Sequence, residues 1–389
     1  MRGWRGVGLV TGWQAVASLS FYAIFAATAF LRSDFGLSRT LVGATITVTM
    51  LGYTLFLFVM GAAVDGYGER PVMVGGLLAL GLGAAGVAVA PSYAALLVTL
   101  LVLGGAYATA MPATNRAVLA VAPAGRRNLT MSIKQVGVTV GSGLGALLVT
   151  WTAATRLGWR AGFLVVAVVA VGVAAAFGYW YRGDGGSGSM GLPDVRELLS
   201  RPDYRLLVAA GFFYGAAIFT TTAYVVLYLT ESVGAAAGVG GAVLALVQLT
   251  GSGGRIGGGA LADRLPFGDG RASAFVLVGQ SAVGATCIVA VTAVDTGLAA
   301  AAGFAALGLF VFGVPATYYA CMTALVPSDR VGEATAGGQL TINAGGLLAP
   351  PAFGYLVDTV GYTAGWFALA AGIGVATLLT GWLTVLTRP

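Results

Sequence analysis

The chain has 389 residues, of which 58% are hydrophobic and only 9% charged, with a mean hydropathy of +0.90. An average soluble domain carries roughly 25% charged residues, so this composition excludes a water-facing globule and requires an outer surface that faces lipid. The formal charge of +6 does not indicate nucleic acid, because the basic residues are dispersed between apolar runs rather than gathered in a patch.

Taken in chain order, the apolar runs match helices of about 20 residues, the length that crosses a ~30 Å hydrocarbon core. Arg2 and Arg5 precede a first run over 8–31. Ala27-Thr28-Ala29 resembles a signal-peptide cleavage site, but the run exceeds the ~7–15 residues of a signal core and reads as a retained span. Further spans are predicted at 40–63, 72–90, 93–118, 129–151 and 160–181. Residues 182–204, opening on Gly183-Asp-Gly-Gly-Ser-Gly-Ser189, read as a cytoplasmic linker. Six more spans are predicted at 205–230, 237–261, 272–293, 297–325, 334–357 and 362–386. The expected fold is therefore all-α and polytopic, with a six-helix half at 1–181 and another at 205–389.

Fourteen arginines fall in segments on the side of the N-terminus and four on the other, which places both termini in the cytoplasm. The halves also repeat. Gly61-Ala-Ala-Val-Asp65 returns as Gly259-Ala-Leu-Ala-Asp263, Ala113-Thr114 as Ala316-Thr317, and Gly158-Trp159 as Gly361-Tyr362.

Gly61 to Arg70 has the pattern G-x-x-x-D-x-x-G-x-R on the turn after the second span, and Gly259, Asp263 and Arg264 keep its core after the eighth. With twelve spans and the repeat, this resembles the major facilitator superfamily. The resemblance implies alternating-access transport. It implies a conformational latch at Gly61, Asp65, Gly68 and Arg70, joined by Arg116 and by Gly259, Asp263 and Arg264. It also implies that the fifth and eighth spans face each other across the halves. The small residues Gly137, Gly141, Gly143 and Gly145, and Gly251 to Gly259, are expected at close helix contacts there.

Charges inside the spans are scarce, and each marks a functional candidate. Lys134, the only lysine, lies about two turns into the fifth span, and Arg255 lies about two turns before Asp263. The acids Asp34, Asp65, Glu231, Asp263, Asp295, Glu333 and Asp358 are all placed at helix ends or loops, leaving both cations without an obvious counter-ion. The arginine before the second Gly-x-x-x-Asp-Arg turn resembles the monocarboxylate and oxalate branches, which implies a carboxylate site. Gln135, Tyr22, Tyr107, Tyr214, Tyr318, Tyr319, Gln339 and Asn343 supply further candidate solute contacts, each of which also reads as interhelical glue. Asn343-Ala-Gly345-Gly346 partly resembles the nitrate branch, but position 57, the repeat partner of Arg255, is leucine.

The expectation is a transporter of a small, anionic, carboxylate-like solute in the cytoplasmic membrane, working as a monomer. Export of a lipophilic or drug-like compound, or carriage of nitrate or nitrite, is the alternative. No cofactor, metal or nucleic-acid partner is expected. An enzyme would call for a His/Asp cluster or a nucleophile with its base, and the chain has no histidine. Cys287 and Cys321 read as small buried hydrophobes.

Overall fold

The structure is a computed structural model, describing residues 3–123, 126–183, 196–293, 296–327 and 330–387. Most of the linker, including Ser189, and also Asp295 and Arg388, lie outside the described residues. Among the described residues there are twelve helices long and apolar enough to cross a membrane. They are α1 (Trp4–Ala26), α2 (Arg39–Tyr67), α3 (Glu69–Val89), α4 (Tyr93–Val121), α5 (Arg127–Ala153), α6 (Gly158–Trp180), α7 (Pro202–Glu231), α8 (Ala237–Ala262), α9 (Asp269–Val291), α10 (Gly297–Leu325), α11 (Val331–Thr359) and α12 (Tyr362–Leu386). Short helices Thr28–Phe35 and Arg196–Ser200 follow α1 and precede α7.

The packing divides the chain into two compact units, Met1–Gly36 with Val48–Leu192, and Leu37–Thr47 with Pro193–Pro389. The first turns of α2 therefore pack in the second unit, and the rest of that helix in the first.

The internal repeat is written in the backbone. Gly158 and Gly361, at the starts of α6 and α12, have φ of 72° and 117°, a region that suits glycine and strains other residues. Helices α4 and α10 are not continuous, contrary to the unbroken spans expected from hydropathy. The ladder of α4 is interrupted between Tyr107 and Ala110, and α10 widens to a π turn at Gly308–Phe312 before resuming at Val314. The physical cause is the same in both. Pro112 and Pro315 occupy equivalent repeat positions and have no N–H to donate to the preceding turn.

Glycines of α5 lie at a close helix contact, as small residues in membrane spans are expected to. A Cβ on Gly137, Gly141 or Gly145 would fall on the carbonyl oxygens of Thr11, Ala15 and Leu19, one turn apart along α1. They close the α1–α5 contact inside the first unit, where a bare Cα lets two backbones approach. Gly251 and Gly254 do the same for α8 against Phe312 and Leu309 of α10.

Candidate functional site

In the first unit, buried polar groups follow one another along α1 and α4. Thr114 Oγ1 donates to Gln14 Oε1 (2.9 Å), Gln14 Nε2 donates to Ser18 Oγ (3.1 Å), and Ser18 shares a 3.2 Å hydrogen bond with the Tyr107 hydroxyl. Gln14 and Ser18 lie four apart on α1 and so share one face of that helix. The Tyr107 ring stacks on Phe21 with centroids 4.1 Å apart, and Tyr22 and Tyr53 meet it at 6.1 and 5.4 Å. One residue after Thr114, Asn115 Oδ1 accepts from Lys134 Nζ at 2.8 Å, with Met111 Sδ at 3.8 Å. Lys134 is fully buried, and among the described residues no carboxylate lies within 4 Å of its nitrogen. Its neighbour Gln135 keeps a buried Oε1 with no hydrogen-bond partner.

In the second unit, Tyr319 donates to Gln339 Oε1 at 2.6 Å, and Gln339 Nε2 donates to Asn343 Oδ1 at 2.8 Å. This chain leaves the Asn343 amide nitrogen buried without a partner. Tyr318 packs against both Tyr319 and Tyr214, and the Tyr214 hydroxyl bonds Ser281 at 2.8 Å. Arg255, half-buried on α8, donates from Nε to the carbonyl oxygen of Phe312 at 3.1 Å, the last residue of the π turn.

Among the described residues, the motif residues form a network only in their first copy. Gly68 has φ 83° and starts α3. Arg116 sits 3.4 Å from Asp65 and 3.2 Å from Glu69, and Tyr181 donates to the other Glu69 oxygen at 3.0 Å. Arg70 donates to the Gly178 carbonyl at 2.5 Å. Glu69 was not among the acids weighed from sequence, yet it is the buried member, 1% exposed against 49% for the Asp65 side chain. Its position beside Gly68, inside the motif, was the available signal. In the second copy Asp263 and Arg264 are exposed at the end of α8, Gly259 has open space beside it, and no ion pair joins either charge among the described residues.

A further charged cluster, at the start of α2, was not read from sequence. Asp358 accepts from the backbone N–H groups of Arg39 (3.0 Å) and Thr40 (2.8 Å) and from the Thr40 hydroxyl (2.7 Å). It thus caps α2 from another helix, where the N-terminal end of the helix dipole favours a carboxylate. Arg39 Nε also donates to Glu231 (2.9 Å), which accepts from Tyr362 as well (2.7 Å).

Residues 11–337 match the profile of the Major Facilitator Superfamily. The chain belongs to this superfamily. As a Major Facilitator member it is a multi-pass membrane transporter and not an enzyme. It is 23% identical over 372 residues to the hexuronate transporter of Bacillus subtilis (strain 168), covering 91% of this chain and 87% of that protein. Its fold matches a bacterial homologue of the human lysosomal transporter Spinster, in an inward-facing and occupied conformation, with a TM-score of 0.79, 14% identity and coverage of 98% and 96%. The nucleoside transporter NupG matches with a TM-score of 0.77, 12% identity and coverage of 98% and 100%. In the first unit the structure thus pairs Lys134 with Asn115, apart from the row that runs from Thr114 to Tyr107. In the second it links Tyr319, Gln339 and Asn343.

Proposed function

We propose that this transporter carries a small organic anion bearing a carboxylate, by alternating access, across the cytoplasmic membrane. The observation that carries the reading is Lys134. A buried ammonium held by a neutral amide is a costly arrangement, because desolvation of an ion is offset only when an opposite charge or several hydrogen bonds replace its water. An anionic solute supplies that charge while bound. The likeness to a hexuronate transporter, a carrier named for a sugar acid, supports the same class.

In this reading other polar and aromatic residues of the first unit discriminate the rest of the solute. Gln14, Ser18 and Tyr107 offer donors and acceptors, Tyr22 offers a ring face, and Gln135 has an acceptor to fill. Within the second unit, Arg255, Tyr214, Tyr318, Tyr319, Gln339 and Asn343 are the candidate solute contacts. Asp65, with Arg116, Arg70 and Gly68, and Asp263 with Arg264, act as conformational latches rather than solute contacts. Two six-helix halves at 1–181 and 205–389, joined by 182–204, are the moving parts. The arginine bias supports cytoplasmic termini, and the protein works as a monomer.

The deciding experiment is a thermal-shift series on the detergent-purified protein with hexuronates, short monocarboxylates, nitrate and the uncharged parent sugars. A specific ligand raises the unfolding midpoint by mass action. Stabilisation by carboxylates and none by neutral sugars is the expected result. Equal stabilisation by the neutral sugars, or stabilisation by nitrate and by no carboxylate, would overturn the carboxylate reading.

A further inference from the structure

The second unit carries a cavity of about 530 Å³ between α8, α9 and the π turn of α10, lined by none of the residues of the polar rows described above. Its bed is made by glycine. A Cβ on Gly257 or Gly279 would meet nothing within 4 Å, and one on Gly253 would meet only the tip of Leu309. Its walls are apolar, including Leu261, Val283 and Leu309, each more than a third exposed, so the cavity is open along its length. Gln280, a polar wall residue, donates to the Gly254 carbonyl at 3.3 Å.

One end of the cavity lies at the turn joining α8 to α9, where Leu265 and Phe267 line it. There Phe267 and Phe275 stack at 5.0 Å, and the Arg271 guanidinium sits over both rings, 4.9 and 5.5 Å from their centroids. Arg271 Nε is buried without a hydrogen-bond partner, and no carboxylate of the described residues lies within 4 Å of the guanidinium. The turn also bears Asp263 and Arg264, both exposed, so its charge is mixed. What distinguishes Arg271 is that two rings hold it in place while its buried Nε has no hydrogen-bond partner among the described residues.

We propose that this cavity binds one acyl chain of a bilayer phospholipid, with the lipid phosphate held by Arg271. A guanidinium fork matches phosphate oxygens with paired, charge-assisted hydrogen bonds. The twelve helical steps from Arg271 to Val283 rise about 18 Å, a little over half of the ~30 Å hydrocarbon core. The groove therefore spans the depth of one leaflet, with its cation and aromatics at the headgroup level, where such residues settle. Its volume falls within the ~300–1,000 Å³ of sites that bury a small molecule.

Delipidated protein titrated with phosphatidylglycerol and followed by native mass spectrometry tests the site, with diacylglycerol as the phosphate-free probe. Arg271→Gln is expected to weaken phosphatidylglycerol binding roughly ten-fold, the loss of a charged hydrogen bond. Gly257→Leu fills open space, so it is expected to keep the wild-type unfolding midpoint and lose the bound lipid. Gly279→Leu tests the same groove from the facing helix. Diacylglycerol is expected to bind far more weakly than phosphatidylglycerol to the wild type, and equally to Arg271→Gln. Unchanged phosphatidylglycerol binding in Arg271→Gln and both glycine variants, or wild-type protein retaining diacylglycerol as tightly, would sink the proposal.

Discussion

Lys134 concentrates the electrostatic cost of the first unit in one atom. Its replacement by Ala removes the charge that an anion would meet, so anion affinity is expected to fall at least ten-fold, roughly the 1.5–3 kcal/mol of a charged hydrogen bond. The unfolding midpoint without ligand should hold or rise, since an isolated buried cation does not favour the folded state. Equal affinity in wild type and Lys134→Ala, measured by titration calorimetry, would assign the lysine to structure alone. Asp358 makes the opposite case. Its carboxylate satisfies the first N–H groups of α2, and Asp358→Ala is expected to cost about 1–2 kcal/mol, the usual scale for losing a helix cap. Thermal unfolding in detergent reads this directly, and Thr40→Ala should show a smaller part of the same loss.

At the scale of elements, glycine faces and proline breaks set the packing. Gly141→Val would drive a side chain into the Ala15 carbonyl, and the expected cost is about 1–3 kcal/mol of overpacking. The same substitution at Gly257, where space is open, should leave the midpoint unchanged. In the motif network, Asp65→Asn is expected to keep solute affinity and slow transport. Glu69→Gln should destabilise the protein more, because Glu69 is the buried partner of Arg116. Transport rate, binding and midpoint measured together separate these outcomes. The twelve spans were legible because a bilayer demands long apolar runs, and charges at their ends mark the crossings. The motif was legible because Gly68 needs its turn and Asp65 its position. Three features were not. The interruptions of α4 and α10 leave hydropathy untouched. The burial of Glu69 depends on Tyr181, 112 residues away. The partner of the α5 glycines is α1, which only packing decides. Of the polar rows, Tyr107 and Lys134 stood out in sequence, whereas Gln14, Ser18 and Asn115 gain meaning only from the helices that bring them together.

For the whole molecule, twelve crossings by the helices of the described residues are expected to bring Trp4 and Thr387 to one side of the membrane. Single cysteines at Thr155, between α5 and α6, and at Thr387, after α12, should label from opposite faces of the membrane. Thr155 is expected to react in intact cells and Thr387 only after permeabilisation; the reverse pattern would invert the orientation. The two units also show how a duplicated plan has diverged. Both copies keep the proline that breaks the fourth helix of each half. In the second copy alone, Arg255 reaches the backbone beside that break, since its counterpart at position 57 is leucine. Arg255 is therefore a splint as well as a charge, and any replacement with fewer donors must loosen the bend while it alters the electrostatics. Leucine in the first copy carries no such double duty. Evolutionary change of solute should thus come more readily through residues of the first half, leaving the splinted half as the conservative frame.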